Sequence, residues 1–155
     1  MSDWSIQQAR DIYHIAQWSD GFFDIGEKGT LQALPSASRE EPSIDLYELA
    51  QTIKNAGTSF PVLVRFTDIL RKRIQMLHEA FERAITDHDY RGSYISAYPI
   101  KVNQQRHVVE SILENGKVNV GIEAGSKPEF LAALAVSCRH RSVLICNGYK
   151  DREFI

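Results

Sequence analysis

The hydrophobic pattern of residues 60–155 alternates between short apolar runs and longer amphipathic stretches. The first run, PVLVRF at 61–66, is rich in β-branched residues and predicts a strand covered on both faces. The stretch after it has apolar residues at three-four spacing, which predicts a helix beginning at Thr67 or Asp68. The alternation then continues, with further strands predicted within 93–102, 118–124 and 142–148.

Helix signals support this alternation. The helix after the second run carries Val108 and Ile112 on its apolar face and is predicted to end at Gly116. Ser126 and Glu129 form an S-x-x-E capping box, which predicts the start of the next helix. The last segment, KDREFI, has the pattern of the opening of a fourth helix.

Strands that alternate with helices over short links predict right-handed βαβ units and a parallel sheet. Residues 60–155 hold four such units at about 24 residues each, which is close to the spacing of a (β/α)₈ barrel. Four units make only half of such a barrel. The pattern therefore predicts an α/β fold that is either an open doubly wound sheet or the first half of a (β/α)₈ barrel.

The pattern before this region differs. Alternate apolar positions between Ile12 and Trp18 favour β structure. Two short apolar runs flank the segment 26–29, Gly-Glu-Lys-Gly, and predict a hairpin there. The amino-terminal segment is therefore expected to be small and β-rich.

Prolines mark the end of that segment. Pro35 and Pro42 bracket a polar stretch that predicts a surface connection. A helix capped by Ser43 is predicted to follow. We therefore divide the chain into a β-rich amino-terminal segment, 1–42, and the barrel part, 43–155.

Composition excludes several classes of protein. With 18 Lys+Arg against 20 Asp+Glu, the net charge of −2 offers no broad basic surface for nucleic acid. No apolar run approaches the roughly 18 residues that span a bilayer, and the first residues have no leader-like pattern. We therefore expect a cytoplasmic protein without a membrane or nucleic-acid partner. Cys138 and Cys146 are expected to be buried thiols, since their spacing suits neither a disulfide framework nor a metal knuckle.

Candidate chemistry lies at the carboxyl ends of the predicted strands, where parallel architectures place their reactive groups. Lys101 lies within an apolar run, where a lysine can act as an amine nucleophile toward a carbonyl group. Glu123 would lie at the same edge, where a carboxylate can pair with a protonated cofactor nitrogen or with the lysine. On position alone, a solvent-reaching lysine and a surface ion pair remain the alternatives. The histidines show no i,i+4 metal pair, and no metal ligands are predicted.

Three segments together carry a specific resemblance. They are YPIKVNQQRHVVE at 98–110, GIEAGSKPEFLAALA at 121–135 and ICNGYKDREFI at 145–155. They closely resemble the biosynthetic arginine decarboxylases, pyridoxal-phosphate enzymes of fold type III with an alanine-racemase-like barrel. The similarity runs the whole length of the chain, since the opening pattern between Tyr13 and Gly29 and the segment FPVLVRFTDILRKRI at 60–74 also resemble that family's amino-terminal portion.

The resemblance implies that Lys101 is the catalytic lysine, which holds pyridoxal 5′-phosphate through a Schiff base, and that Glu123 lies near the cofactor. The implied reaction is decarboxylation of L-arginine to agmatine and carbon dioxide in polyamine biosynthesis. The family also uses magnesium, for which this sequence shows no recognisable site, and a homo-oligomer is expected at full length.

The family's chains are several times longer than this one, which favours the first half of a barrel over the open sheet. The phosphate-binding loop, the acid that pairs with the ring nitrogen and the guanidinium pocket are expected beyond Ile155. We therefore expect the isolated 155-residue piece to be inactive.

Two alternatives stay open. Decarboxylases for another basic amino acid, such as ornithine or diaminopimelate, also carry a lysine at the end of an early barrel strand. A truncated, non-catalytic paralogue would bind the cofactor or a partner without turnover.

Overall fold

The computed structural model describes residues 4–115, 118–140 and 142–152. The chain forms two compact units, which divide between Ile69 and Leu70 and are called here the first unit and the second unit. The division of the sequence at 42/43 stays a prediction. Among the described residues, no helix combines the length and the hydropathy that a bilayer crossing requires.

The first unit contains a small antiparallel sheet preceded by two short helices. Its elements are α1 (Ile6–Ile12), α2 (Ile15–Ser19), β1 (Phe23–Ile25), β2 (Leu31–Ala33), β3 (Ile44–Asp45) and α3 (Leu46–Asn55). β2 lies between β1 and β3, with Phe23 opposite Ala33. The hairpin predicted at 26–29 is confirmed, and Gly29 takes the positive φ of 76° that favours glycine in the turn.

The predicted β structure between Ile12 and Trp18 is wrong, because this part of the chain is helical. α1 begins at a capping box in which Ser5 and Gln8 each accept a hydrogen bond from the other's backbone N–H. His14 then adopts a left-handed conformation with φ of 51°, and α2 starts anew after it. The apparent alternation arose because the apolar positions fall on two helices separated by this break.

The cap of α3 also differs from the prediction. Asp45, not Ser43, is the N-cap: its Oδ1 accepts hydrogen bonds from the backbone N–H groups of Tyr47 and Glu48 at 2.9 and 3.0 Å. Residue 44 and Asp45 form β3, so the chain completes a sheet before it turns into the helix. The sequence did not distinguish Ser43 from Asp45 as the N-cap because serine and aspartate both cap helices well.

Asp24 is a buried carboxylate of the first unit that is paired with two arginines. Its carboxylate accepts two hydrogen bonds from Arg10, at 2.7 and 2.9 Å, and pairs with Arg39 at 2.8 Å. Arg10 also donates to the backbone carbonyl of Ile25 at 2.8 Å. Burial raises the pKa of Asp24, but the bonds from Arg10, from the backbone at Ile25 and the nearby charge of Arg39 outweigh it and hold the pKa below its ordinary value.

The second unit contains a parallel sheet in the order β4-β5-β6. Its elements are α4, which spans Thr67–Asp87 and crosses the division between the units, then β4 (Ser96–Pro99), the 3₁₀ turn η1 (Ile100–Val102), α5 (Arg106–Leu113), β5 (Val120–Ala124), α6 (Lys127–His140) and β6 (Leu144–Cys146). Parallel register places Tyr98 opposite Ile122, and Ile122 opposite Leu144. The predicted alternation of parallel strands and helices is confirmed for these three strands.

One face of this parallel sheet is covered by helices. Ile122 and Ala124 of β5 lie on that face and form one buried cluster with Ile100 of the 3₁₀ turn, Val109 of α5 and Ala133 of α6. The strand residues that alternate with Ile122 and Ala124 lie on the other face, where Ile145 is 42% exposed. This second face of the sheet is called here the uncovered face.

Two features of the barrel part differ from the sequence prediction. Residues 61–66 form no strand, and Leu63 is 72% exposed, because an extended segment becomes a strand only when a neighbour completes its hydrogen-bond ladder. The predicted fourth helix falls partly on 153–155, which lie outside the described residues, and residues 150–152 are not helical. Gly116, the predicted stop of the helix now labelled α5, also lies outside the described residues.

The two cysteines are exposed, so the prediction of buried thiols is wrong. Cys138 lies on α6, which is apolar over much of its circumference but buries only Ala133 and Ser137. Cys146 lies at the end of β6. The apolar runs predicted burial of every residue in them, but burial is only partial in each element and both cysteines remain exposed.

Candidate active site

Lys101 lies in the turn that follows β4. The strand ends at Pro99, which has no backbone N–H to extend the ladder, and the chain passes into the 3₁₀ turn. Ile100 is 2% exposed and packs in the core, whereas Lys101 is exposed. The apolar run around the lysine therefore anchors the backbone and leaves the amine accessible.

Glu123 lies on the neighbouring strand, β5, and is half-buried. Its flanking residues, Ile122 and Ala124, are fully buried beneath the helices, so alternation places Glu123 on the uncovered face. Register puts it opposite Pro99 of β4, two residues before Lys101. Since neighbouring strands lie about 4.8 Å apart, the structure brings both predicted site residues to the same carboxyl edge of the sheet.

The strand positions around Glu123 are apolar. Pro99 and Ile145 lie opposite Glu123 on the two neighbouring strands. Gly121 permits a close approach on the same face, because a Cβ there would lie 2.8 Å from the backbone oxygen of Val143. A charged group on this face therefore has few polar neighbours on the strands themselves.

The loop after β6 is part of the same edge, and sequence reasoning did not single out its contacts. The backbone N–H of Asn147 donates to the carbonyl of Ala124 at 2.8 Å. Gly148 has a φ of 81°, and a Cβ there would lie 2.8 Å from the carbonyl oxygen of Gly125. The Asn-Gly dipeptide after a strand was the available signal, since it marks a tight turn.

Lysines hold this loop in place. Lys150 Nζ donates to the carbonyls of Asn147 and Gly148 at 2.6 and 2.9 Å. Lys127, at the start of α6, pairs with Asp151 at 3.3 Å. The loops after β5 and β6 are therefore tied together beside Glu123.

The capping box predicted at the start of α6 forms with one difference. Ser126 Oγ accepts a hydrogen bond from the backbone N–H of Glu129 at 3.4 Å. The Glu129 carboxylate accepts in return from the N–H of Gly125 at 2.8 Å, one residue before the expected donor. The carboxylate therefore satisfies an amide of the β5–α6 loop.

No group of three or more His, Cys, Asp or Glu side chains within 4–115, 118–140 and 142–152 is arranged to hold a metal ion. Magnesium, which the family resemblance implied, thus has no candidate ligand set in this part of the chain.

Two curated proteins that are similar to this chain share one name. The chain is 48% identical over its whole length to the biosynthetic arginine decarboxylase of Shewanella frigidimarina (strain NCIMB 400), of which it covers 25%. It is also 48% identical over its whole length to the biosynthetic arginine decarboxylase of Alkalilimnicola ehrlichii, of which it covers 24%. The chain thus spans about a quarter of the length of the curated relatives that it matches.

A solved structure is similar as well. The crystal structure of the biosynthetic arginine decarboxylase SpeA from Campylobacter jejuni superposes with a TM-score of 0.81 and 31% sequence identity, over 92% of this chain and 24% of that one. This similarity confirms the predicted fold class, an α/β chain forming the first part of a (β/α)₈ barrel after a small antiparallel sheet.

A family model also matches the second unit. The model of the pyridoxal binding domain of the pyridoxal-dependent decarboxylases matches residues 71–155, more than half of the chain. These residues include Lys101, Glu123 and the whole parallel sheet. The chain therefore belongs to the pyridoxal-dependent decarboxylase family.

Proposed function

We propose that this chain is the amino-terminal part of an enzyme that decarboxylates L-arginine to agmatine and carbon dioxide with pyridoxal 5′-phosphate as cofactor. The observation that carries the proposal is an exposed lysine, Lys101, in a 3₁₀ turn at the carboxyl end of a parallel strand. Support for arginine as the substrate comes from relatives named arginine decarboxylase that are 48% identical over the whole chain.

The donors at this edge fit a pyridoxal group. Lys101 offers a primary amine that can bond to an aldehyde, and Glu123 offers a carboxylate at the same edge. Ala97, which lies on the uncovered face, is exposed and carries only a methyl group, so the strand β4 leaves room beside them. When bound, the cofactor supplies an electron sink for the electron pair that remains as carbon dioxide leaves.

Lys101 has two roles in this proposal. Its Nζ binds the cofactor before substrate arrives, and it holds and delivers a proton when arginine has taken its place. Both roles require the amine to be accessible and its backbone to be fixed. The exposed lysine beside the buried Ile100 meets both requirements.

Glu123 is proposed to lie near the cofactor and to balance positive charge there. A half-buried carboxylate interacts with a nearby cation more strongly than an exposed one, because less water screens it. Replacement by Gln in the full-length protein should therefore weaken cofactor binding by about tenfold. Unchanged affinity in Glu123→Gln would contradict this role.

Other attributes of the whole protein are proposed as well. The family resemblance supports a place in polyamine biosynthesis, a magnesium requirement and a homo-oligomeric state. The composition supports a cytoplasmic location, and the prolines before residue 43 support the domain division at 42/43. A net charge of −2 supports the expectation that nucleic acid is not a partner, and the shortness of the apolar runs in this sequence supports the same expectation for a membrane.

The substrate is tested with the full-length protein that carries this chain at its amino terminus. Carbon dioxide release should be measured with arginine, ornithine, lysine and diaminopimelate, and kcat/KM for arginine should exceed the others by about a thousandfold. Equal or faster turnover of ornithine or diaminopimelate would favour those decarboxylases. Cofactor binding without turnover of any amino acid would favour the non-catalytic paralogue.

The role of Lys101 is tested by substitution and trapping. Lys101→Ala should lower kcat by at least about a thousandfold, and borohydride reduction followed by peptide mapping should no longer fix cofactor at this position. Lys54→Ala, which removes an exposed lysine of the first unit, is the matched control and should leave both unchanged. Retained activity and cofactor absorbance in Lys101→Ala would rule out the assignment.

A further inference from the structure

A tyrosine hydroxyl bridges the turn that carries Lys101. Tyr98 Oη donates a hydrogen bond to the backbone carbonyl of Asn103 at 3.2 Å. The four residues between them, 99–102, contain the end of β4 and the whole 3₁₀ turn. The bond therefore closes a short loop with Lys101 inside it.

The ring of Tyr98 is anchored independently of its hydroxyl. It is half-buried and packs against two hydrophobic clusters, one around Val109 and Ile122 and the other around Val108 and Ile112. These contacts come from β5 and from α5, so they fix the ring between the sheet and a helix. The position of the hydroxyl is therefore set by the core.

The far end of the loop is anchored as well. Asn103 Oδ1 accepts a hydrogen bond from the backbone N–H of Gln105 at 3.0 Å, immediately before α5 begins at Arg106. Gln105, the N-cap residue, makes no side-chain capping bond of its own. Asn103 thus joins the Lys101 turn to the start of the helix.

These contacts matter because the backbone here has little ladder support. Pro99 contributes no N–H, and a single 3₁₀ turn supplies few hydrogen bonds. A lysine amine at the end of four rotatable bonds is presented accurately only if its backbone is fixed. A side-chain bond across the turn can supply this restraint.

We propose that Tyr98 is a positioning residue for Lys101: its hydroxyl holds the turn 99–103 so that Lys101 Nζ is presented to the cofactor at the sheet edge. The proposal rests on the proposed function of Lys101 and extends it to a second residue of the same segment. Tyr98 acts through the carbonyl of Asn103.

The test compares two tyrosines on the same segment of the full-length protein. Tyr98→Phe removes only the bridging hydroxyl. Tyr94→Phe is the control: Tyr94 lies two residues before β4 begins, and its hydroxyl accepts a hydrogen bond from Ser96. The cofactor-free proteins are mixed with pyridoxal 5′-phosphate, reduced with borohydride at timed intervals and mapped. The quantity compared is the labelling ratio, which is the rate at which reduced cofactor appears on Lys101 divided by the rate at which it appears on the exposed Lys54.

Tyr98→Phe should lower this ratio about fivefold, the effect of losing one neutral hydrogen bond, and Tyr94→Phe should leave it unchanged. In the loaded enzyme, Tyr98→Phe should lower kcat by a similar factor and change KM less than about twofold. A ratio for Tyr98→Phe equal to that of wild type, or equal to that of Tyr94→Phe, would overturn the proposal.

A rescue separates positioning from folding. Incorporation of 4-aminophenylalanine at position 98 keeps a donor on the same ring and should restore the labelling ratio, even if Tyr98→Phe lowers the thermal midpoint. Failure to restore it in a protein with the wild-type midpoint would overturn the hydrogen-bond explanation.

The two proposals fail in different ways. If wild-type protein takes no cofactor at Lys101, the proposed function falls and the positioning role falls with it. If all the variants take cofactor at Lys101 at one rate, only the positioning role of Tyr98 is overturned.

Discussion

The two units use their charged residues in opposite ways. In the first unit, the Asp24 side chain is 9% exposed and is satisfied by two arginines. In the second unit, Lys101 is exposed and Glu123 half-buried at the edge of a sheet whose core is apolar. Polar groups that are buried and fully bonded serve stability, whereas charges left accessible on a rigid apolar base are available for chemistry.

The largest expected effect tests the apolar base of the second unit. Ile122 is fully buried, so Ile122→Ala should destabilise the second unit by about 3 kcal/mol through lost burial and a residual cavity. Amide hydrogen exchange of peptides from β5 and β6 measures this, with peptides from β1 and β2 as the internal reference. Ile145→Ala on the uncovered face is the matched control and should cost less than about 1 kcal/mol. An equal loss of stability in Ile122→Ala and Ile145→Ala would mean that the two faces of the sheet do not differ in their contribution to stability.

A smaller effect is expected from the charge cluster of the first unit. Asp24→Asn removes the negative charge that Arg10 and Arg39 share, and should destabilise the first unit by about 2 kcal/mol. Hydrogen exchange of β1 and β2 measures it, and Glu40→Gln, at an exposed position beside Arg39, is the control. A change no larger than that of the control would show that the cluster contributes no stability.

Acid should weaken the same cluster with a predictable sign. The pKa of Asp24 is lower in the folded than in the unfolded chain, so its contribution is fully present above the unfolded value of about 4. It is lost as pH falls through the lower folded pKa, because the unfolded chain binds the proton more readily. The protection of β1 amides, which is the intrinsic exchange rate at each pH divided by the observed rate, should therefore fall between about pH 5 and pH 2, and less steeply in Asp24→Asn. Equal slopes in the two proteins would contradict this linkage.

The smallest effect is expected at an exposed ion pair of the first unit. Lys28 Nζ lies 2.7 Å from Glu48 Oε1, but the two side chains are 75% and 61% exposed. Although Glu48 raises the pKa of Lys28, water screens the pair, and Lys28→Ala should leave the thermal midpoint unchanged. If Lys28→Ala lowered the thermal midpoint as much as Asp24→Asn does in the same measurement, buried and exposed charges would not differ in their contribution to stability.

Local patterns predicted much of the second unit correctly. The apolar runs that contain β4, β5 and β6 and the three-four spacing of the helices between them follow from periods that any parallel α/β chain must show. Lys101 was identified because a lysine inside an apolar run is unusual. Glu123 was identified because strand ends share one edge.

The errors came where local patterns are ambiguous. Alternation between Ile12 and Trp18 spans only a few residues, and a break at His14 gives two helices the same appearance. The run 61–66 has strand composition but forms no ladder. In both cases the deciding factor was a backbone partner or a backbone break, which side-chain hydrophobicity does not report.

The sequence alone determined the order of strands and helices, the residue types at the strand ends and the family resemblance, because these depend on neighbours along the chain. Only the tertiary structure decided that Pro99 lies opposite Glu123, that one face of the sheet is covered and that Tyr98 bridges to Asn103. The physical reason is that register, burial and cross-turn hydrogen bonds are set by how the sheet and helices pack, and a linear pattern does not specify that packing.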